Sequence, residues 1–302
     1  MSDPVESPLL LIVNPSAGGG RARRILDRAT TILDRVRKPF RVEFSTSGEH
    51  AGELASLGID LGETPVAVGG DGQVARVAHP LVGTDRVMGI LPTGRGNDLA
   101  RGLGIPTRPD DAVQTLLGGL PRRIDVGHSD GRRFLGIASV GFDSRANEIA
   151  NRTTWIPGTF VYAWAALRAL VGWKAVRFTL TVDGNSERIQ AHTVAVANNA
   201  FYGGGMKMAP GASVSDGLLD LIVVGDVSRL RFLANFPKVF LGRHIDGVEV
   251  TCRRVREVRI DAGASLTVFA DGDPLTELPA TIRVLPGALS ILCPPRGERC
   301  LS

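Results

Sequence analysis

Residues Val66 to Pro80 read VAVGGDGQVARVAHP. Val66, Ala67 and Val68 have the pattern of a short buried strand. Gly69, Gly70, Asp71 and Gly72 make a turn carrying one acid, and a helix is expected from about Gln73. A strand feeding a glycine turn and a helix N-terminus builds an anion site. Backbone N–H groups point outward, the helix dipole adds partial positive charge, and missing side chains let a phosphate approach. The same glycines also serve a plain βα turn by supplying positive φ. This stretch alone leaves both readings open.

Its neighbours tip the balance. Met88 to Leu91 reads as another strand, followed by PTGRGNDLAR at Pro92 to Arg101. Leu9 to Val13 reads as a third, followed by NPSAGGG at Asn14 to Gly20. Three strands thus each end in a glycine-rich turn that opens a helix. In an open parallel sheet such turns gather at the carboxyl edge, where ligands bind. A nucleotide-phosphate site is the reading they favour together. Between them, Arg21 to Lys38 is helical, with Ile25, Ala29, Ile32, Leu33 and Val36 on one face. Arg21, Arg23 and Arg24 oppose the dipole in its first turn, a cost that bound phosphate or solvent relieves. Phe40 to Phe44 is a strand, Ser45 to Gly48 a polar turn in which Thr46 or Ser47 can cap the next helix, and His50 to Leu57 that helix. Pro109 to Gly118 is the last clear helix of this alternating half.

From Arg122 period-two segments dominate: Arg133 to Val140, Val176 to Val182, Ile189 to Ala197, Leu218 to Val224, Val255 to Ile260, Ser265 to Ala270 and Ala288 to Leu292. Strands without intervening helices predict an antiparallel sandwich. The fold class expected is therefore an α/β N-terminal nucleotide-binding domain, residues 1–124, and a mainly antiparallel β-sandwich domain, residues 125–293. An active cleft is expected between them, and 294–302 is a tail. Two segments interrupt the β pattern. Ser228 to Leu241 reads as an amphipathic helix. Trp155 to Trp173 holds all three tryptophans with Phe160 and Tyr162, and is too interrupted by Pro157, Gly158 and Arg168 to span a bilayer. It suits either a helix packed on the sandwich or an interfacial lipid contact.

The chain has 302 residues, 43% hydrophobic and 22% charged, with a formal net charge of +4. That is the composition of a globular protein with a substantial core. The mild, mostly arginine excess suits phosphate ligands or an anionic membrane surface. No lysine-rich run or basic-aromatic interleaving argues for nucleic acid. The three cysteines, Cys252, Cys293 and Cys300, lack metal-site spacing, and MSDPVESP is not a signal-peptide pattern, so a reduced cytoplasmic compartment is expected.

NPSAGGG, GGDG and PTGRGNDLAR, in this order and spacing, resemble the bacterial diacylglycerol kinase and sphingosine kinase family of lipid kinases. Ile124 to Gly127 (IDVG), Ser215 to Asp220 (SDGLLD) and Asp271 to Leu275 (DGDPL) match it too, so the resemblance runs from about Leu9 to Pro294. It implies ATP as phosphoryl donor, Mg²⁺ as cofactor, and a lipid substrate met peripherally at the inner face of the membrane, with a homodimer as a candidate assembly. It implies nucleotide contacts from Asn14, Thr46 (or Ser45), Gly69, Gly70, Asp71, Gly72, Gln73, Gly94, Arg95, Asn97 and Asp98. It implies a structural metal on the Asp216 carboxylate and carbonyls near Ser213 and Leu218, with Asp125 linked through water, although Asp216-Gly217 also reads as a tight turn. Asp71, Asp125 and Asp216 all offer oxygens suited to Mg²⁺. The resemblance places Asp271 and Asp273 at the cleft, with Asp273 as the proton acceptor and Asp271 orienting it or the metal. It also implies that the tail returns to the first domain.

Several positions depart from the family. Gln73 stands where threonine is usual, Arg76 where glutamate is, Arg95 within a turn that often reads GTGND, and Asp273 where glutamate is common. Gln73 and Arg95 can still bond a phosphate, whereas Arg76 reverses a charge. The expected activity is ATP-dependent phosphorylation of the hydroxyl of diacylglycerol to phosphatidic acid. The rivals are a kinase of a sphingoid base or other lipid alcohol, an NAD kinase, and a catalytically impaired nucleotide- or lipid-binding regulator.

Overall fold

The structure, a computed structural model, describes residues 7–15, 21–153, 164–165, 168–169, 173–228, 231, 237–247 and 249–295. The chain divides into two compact units, Met1–Val126 with Pro286–Ser302, and Gly127–Leu285.

The first unit alternates strands and helices: β1 (Leu9–Val13), α1 (Arg21–Arg35), β2 (Phe40–Phe44), α2 (Gly48–Asp60), β3 (Thr64–Gly69), α3 (Asp71–Ala78), β4 (Val87–Pro92), α4 (Asp98–Leu103) and α5 (Pro109–Gly118). The strands pair parallel in the order β2-β1-β3-β4. Parallel neighbours need crossover connections, which the helices supply, and helices on both faces bury the inner strands, while the edge strand β2 stays partly exposed. All five residues of β1 are buried accordingly. Leu9, Leu11 and Val13 pack with Val66, Val68 and Leu91, with Leu26, Ala29 and Leu33 of α1, and with Val113 and Leu116 of α5. Each such leucine or valine contributes roughly 1.5–3 kcal/mol relative to exposure. The α2 N-terminus is fixed by Ser47, whose Oγ accepts the His50 N–H at 3.1 Å.

The second unit contains the end of β5 (Leu120–Ser129), then β6 (Arg132–Phe134), β7 (Ile137–Gly141), α6 (Phe142–Arg152), β8 (Val176–Val182), β9 (Asn185–Ala197), β10 (Leu219–Gly225), β11 (Val250–Val255), β12 (Glu257–Asp261), β13 (Thr267–Ala270), β14 (Asp273–Glu277) and the start of β15 (Ala280–Cys293). Its pairings are antiparallel. The long β9 pairs with β8 along its first half, then with β7 on one side and β10 on the other. That change of partners splits the sheet into a sandwich around Phe134, Phe178, Leu180, Val194, Val196, Leu221, Val258, Ile260 and Ile282.

The α/β half and the antiparallel sandwich are those expected, with local differences. Val255 to Ile260 is two strands: Val255 pairs with Leu219 of β10, while Val258 pairs with Val182 and Ile282. The chain changes partners at Arg256, whose carbonyl accepts the Val284 N–H. The helix α6 interrupts the β series after Gly141, whose φ of +111° bends the chain. Residues 286–293, assigned from sequence to the second domain, cluster with the first unit. There Ser290 and Ile291 run parallel beside Val87 and Met88 of β4. In the aromatic segment, Trp155, Phe160 and Tyr162 lie outside the described residues. Trp164 is 39% exposed, and Trp173 meets Phe142 edge-on with ring centroids 6.1 Å apart. Of the expected helix Ser228 to Leu241, residues 237–241 are described and helical. The tail beyond residue 295 and the turn at 16–20 also lie outside. No helix among the described residues is long and apolar enough to cross a membrane.

Candidate active site

The turns after β3 and β4 touch backbone to backbone. A Cβ added to Gly94 would lie 2.5 Å from the Gly70 Cα and 2.9 Å from Asn97 Oδ1. Real Cβ atoms do not approach so closely, so these two glycines let the turns meet. The Thr93 N–H bonds to the Gly69 carbonyl at 2.9 Å and continues the β3–β4 ladder into the turns. None of the three is left-handed, but Gly72 differs in its surroundings: a Cβ there would meet nothing within 4 Å. The protein's own packing does not demand glycine at 72, whereas a close-approaching ligand would.

Asp71 locks the pair of turns. Its Oδ1 accepts the Leu99 N–H at 3.2 Å, so the acid at the start of α3 caps the start of α4. Burial pushes the Asp71 carboxyl above the usual carboxylate range, opposed by backbone N–H groups of Leu99, Asp98, Asp71 itself and Asn97. Asn97 sits in left-handed backbone (φ +50°), and its Nδ2 donates to the Gly94 carbonyl at 2.9 Å. Asparagine tolerates that conformation better than most residues. Two buried polar atoms in the second turn, Thr93 Oγ1 and Asn97 Oδ1, have no partner among the described residues. Buried polar groups are seldom left so, and these two are hydrogen-bonding groups that a ligand or water at the turn could meet.

The other expected nucleotide residues are less uniform. Gln73 is 5% exposed and turned inward: its Nε2 donates to the Ile12 carbonyl at 3.1 Å and to Ser45 Oγ at 3.3 Å. Its side chain occupies the space a Cβ on Gly69 would need. The residue that replaces the family's threonine thus braces β1 against the turn after β2. Thr46 is exposed, with Oγ1 3.0 Å from His50 Nδ1, and Ser47 is the helix cap. Asn14 follows β1, its N–H bonded to the Val68 carbonyl at 3.1 Å. Arg95 is exposed and Asp98 buried in the second turn. Arg76 lies across the start of α2, its Nε 2.9 Å from where a Cβ on Gly48 would stand.

In the second unit Asp271 and Gly272 form the two-residue tip of the β13–β14 hairpin, both left-handed (φ +53° and +94°), with Ala270 opposite Asp273. The chain therefore turns between the two acids and does not run straight through them. Asp271 accepts the Leu135 N–H (2.8 Å) with one oxygen and the Gly136 N–H (2.9 Å) with the other. The opposite edge of that link is held by Asn198, which donates Nδ2 to the Leu135 carbonyl (3.0 Å) and its N–H to the Gly136 carbonyl (2.9 Å). Asp273 is exposed. Asn198, fully buried at the end of β9, went unrecognised in the sequence, as did Thr93. No spacing rule flags an asparagine whose partners lie more than sixty residues away.

Of the expected metal residues, Asp125 belongs to the first unit and Ser213, Asp216 and Leu218 to the second. Asp125, in the first, is 2% exposed, and its Oδ1 accepts the Gly287 N–H at 2.8 Å. Asp216, in the second, is exposed; its Oδ1 accepts the Leu218 N–H at 3.1 Å around Gly217 (φ +76°). This is a local turn of the kind its sequence suggests, and it leaves the second Asp216 oxygen without a partner among the described residues. A carboxylate oxygen together with backbone carbonyls, the donors the resemblance implies here, is a chemistry that suits a partly hydrated hard cation. No group of three or more His, Cys, Asp or Glu that could hold a metal stands together among the described residues. Asp220 is buried beside the Cys252 thiol, Sγ to Oδ1 3.5 Å, and burial pushes that thiol up to about 11.

Comparisons with known proteins agree with this architecture. Residues 8–129 match the diacylglycerol kinase catalytic domain, and residues 136–293 match the YegS C-terminal NAD kinase beta sandwich-like domain. A diacylglycerol kinase of Mycobacterium tuberculosis is 36% identical over 295 residues, covering 95% of each chain. A Chromohalobacter salexigens protein named "Probable lipid kinase YegS-like" is 29% identical and covers 78% of each. A solved diacylglycerol kinase structure from Bacillus anthracis superimposes with a TM-score of 0.76 at 20% identity, covering 96% of this chain and 97% of that one. With both family domains matched across nearly its whole length, the chain belongs to the diacylglycerol kinase and YegS-like lipid kinase family.

Proposed function

We propose that this protein is an ATP-dependent lipid kinase that phosphorylates the free hydroxyl of diacylglycerol to give phosphatidic acid. The observation that carries the phosphoryl-transfer reading is the Gly70–Gly94 backbone contact, with Gly72 open and Thr93 Oγ1 and Asn97 Oδ1 unmet beside it. The turns offer amides and slots for phosphate oxygens, and positioning with charge stabilisation is most of what phosphoryl transfer asks of a protein. In the reaction the lipid hydroxyl oxygen bonds to the γ-phosphorus, the bond to the β–γ bridging oxygen breaks, and ADP leaves. The hydroxyl proton passes to a carboxylate. Asp273 is the proposed acceptor, being exposed while Asp271 has both oxygens engaged by amides. Mg²⁺, where bound, would neutralise phosphate charge or brace the fold, with Asp216 and the Ser213 and Leu218 carbonyls its proposed ligands. Peripheral membrane association at the inner face, a cytoplasmic location and a homodimer belong to the same proposal.

Diacylglycerol is preferred as acceptor because the M. tuberculosis relative at 36% identity carries that name. The second reading, another lipid alcohol such as a sphingoid base, draws support from relatives named more broadly as lipid kinases. Labelled ATP offered with diacylglycerol, sphingosine, ceramide and NAD decides among them. Label in phosphatidic acid is expected; label only in another product would move the assignment, and no transfer to any would leave a binding protein.

A further inference from the structure

The segments 198–214 and 227–245 contain no aspartate or glutamate, yet carry Lys207, Arg229, Arg231, Lys238 and Arg243. The structure brings parts of them together. The Lys207 N–H bonds to the Val239 carbonyl at 2.9 Å, and the His244 ring bonds to the Met208 carbonyl at 3.0 Å. Gly242, left-handed at φ +70°, lets the helical turn 237–241 end against Lys207 and Pro210, where a Cβ would meet Pro210 at 3.0 Å. The Gly242 and Arg243 amides close that turn onto the Val239 and Lys238 carbonyls.

This braced turn presents large apolar side chains outward. Phe240 is 49% exposed and Leu241 64%. Lys238 and Arg243, two residues to either side of the pair in sequence, are exposed, as is Lys207, whose stem lies against Gly242 and whose ammonium stands 6.0 Å from the Phe201 ring centroid. Scattered exposed apolar residues need no explanation. Two adjacent ones on a fixed turn, with exposed cations before, after and against that turn, do.

We infer that this patch docks the protein on an anionic lipid bilayer, with Phe240 and Leu241 entering the headgroup layer and Lys207, Lys238 and Arg243 facing lipid phosphates. The charge pattern selects the partner. Exposed apolar side chains among cations match a surface that is anionic outside and apolar a few ångströms in. The inference rests on the lipid-kinase reading only for its purpose, since docking would bring the chain to its substrate.

The test is sedimentation with vesicles of phosphatidylcholine alone and of phosphatidylcholine with phosphatidylglycerol, without ATP, using wild type, Phe240→Ala/Leu241→Ala, and Lys207→Gln/Lys238→Gln/Arg243→Gln. Wild type is expected to bind the anionic vesicles and to release them in high salt. Each cation removed is expected to weaken binding about fivefold, and the apolar pair to weaken it at least tenfold. Unchanged melting temperatures and unchanged turnover of dispersed short-chain diacylglycerol show that both variants are folded. Equal binding to neutral vesicles, or anionic binding indifferent to both variants, overturns the inference. So does a wild type that ignores vesicles but self-associates through Phe240 and Leu241, which would make the patch a protein interface. Vesicle binding that behaves as expected without any lipid phosphorylation would leave the docking surface standing and remove the kinase reading.

Discussion

Asp271 holds Gly136 by the closest fit at its site: the carboxylate oxygen that accepts the Gly136 amide lies 2.5 Å from where a Cβ at 136 would stand. The contact ties the tip of the β13–β14 hairpin to the link before β7, and Asn198 fixes that link from its other edge. A carboxylate bonded by two amides at once is well placed to orient a neighbour and poorly placed to take a proton. Asp273, two residues on, is exposed. The two acids of DGDP thus differ in environment more than in sequence.

Asp273→Asn is expected to lower turnover roughly 10²–10⁴-fold with nucleotide affinity and melting temperature nearly unchanged. Asp271→Asn must set an amide NH₂ against one of two backbone N–H groups, and is expected to cost about 1–3 kcal/mol of stability. Chemical denaturation and steady-state kinetics on both variants check this. A large turnover loss confined to Asp271→Asn, with stability intact, would exchange the roles.

Gly94→Ala is expected to separate the two glycine turns. Its Cβ would meet the Gly70 Cα, and backbone cannot swing aside as a long side chain can. Nucleotide binding by calorimetry should fall at least tenfold, while Gly72→Ala, with open space around its Cβ, should leave stability unchanged and weaken only nucleotide binding. If Gly94→Ala binds nucleotide as wild type does, the turn contact has no part in the site.

Much of this was legible in the sequence because it is local. A buried apolar run followed by glycines reads as strand and turn at 66–72 and 88–94, and period two reads as strand in most of the second half. The capping of α4 by Asp71 was not legible, since it joins residues 28 apart in sequence that only the parallel β3–β4 pairing brings together. The inward direction of Gln73 was hidden for a related reason. Its amide suits a phosphate as well as a protein carbonyl, and only the fold shows that Ile12 and Ser45 lie within its reach. The division of 280–293 between two units was hidden because a strand reads the same whichever sheet it joins.

Asp71 gives a prediction with a sign. Burial raises its pKa above the unfolded value, so the native state keeps this proton to higher pH than the unfolded chain does. The stability linked to that proton is fully present below the unfolded value, and is lost as pH rises through the folded value. Asp71→Asn removes the buried charge and keeps an oxygen for the Leu99 amide. Its melting temperature at pH 7 is expected to equal or exceed that of wild type, the gap closing as pH falls. Asp71→Ala leaves the amide unmet, and is expected to lose stability and more turnover than the asparagine variant. Asparagine and alanine variants equally inactive, with melting temperatures unchanged, would mean that the charge itself acts on nucleotide or metal.

Asp216 provides the test of metal. Asp216 is exposed and accepts the Leu218 N–H with one carboxylate oxygen. A cation bound there by the native state alone would stabilise it by linkage, by about 2.7 kcal/mol at a hundredfold excess over the dissociation constant. In a domain of this size that is roughly 2–4 °C for each kcal/mol. Wild type is therefore expected to melt several degrees higher in Mg²⁺ than in chelator. Asp216→Ala should melt at the same temperature in both, because carbonyls without a carboxylate hold a hydrated Mg²⁺ weakly. Asp125→Asn separates the two acids expected from sequence: Asp125 bonds the Gly287 amide within the first unit, so its loss should lower stability equally with and without Mg²⁺. Should Asp216→Ala keep the full Mg²⁺ response, the cation binds elsewhere and Asp216 only shapes its turn.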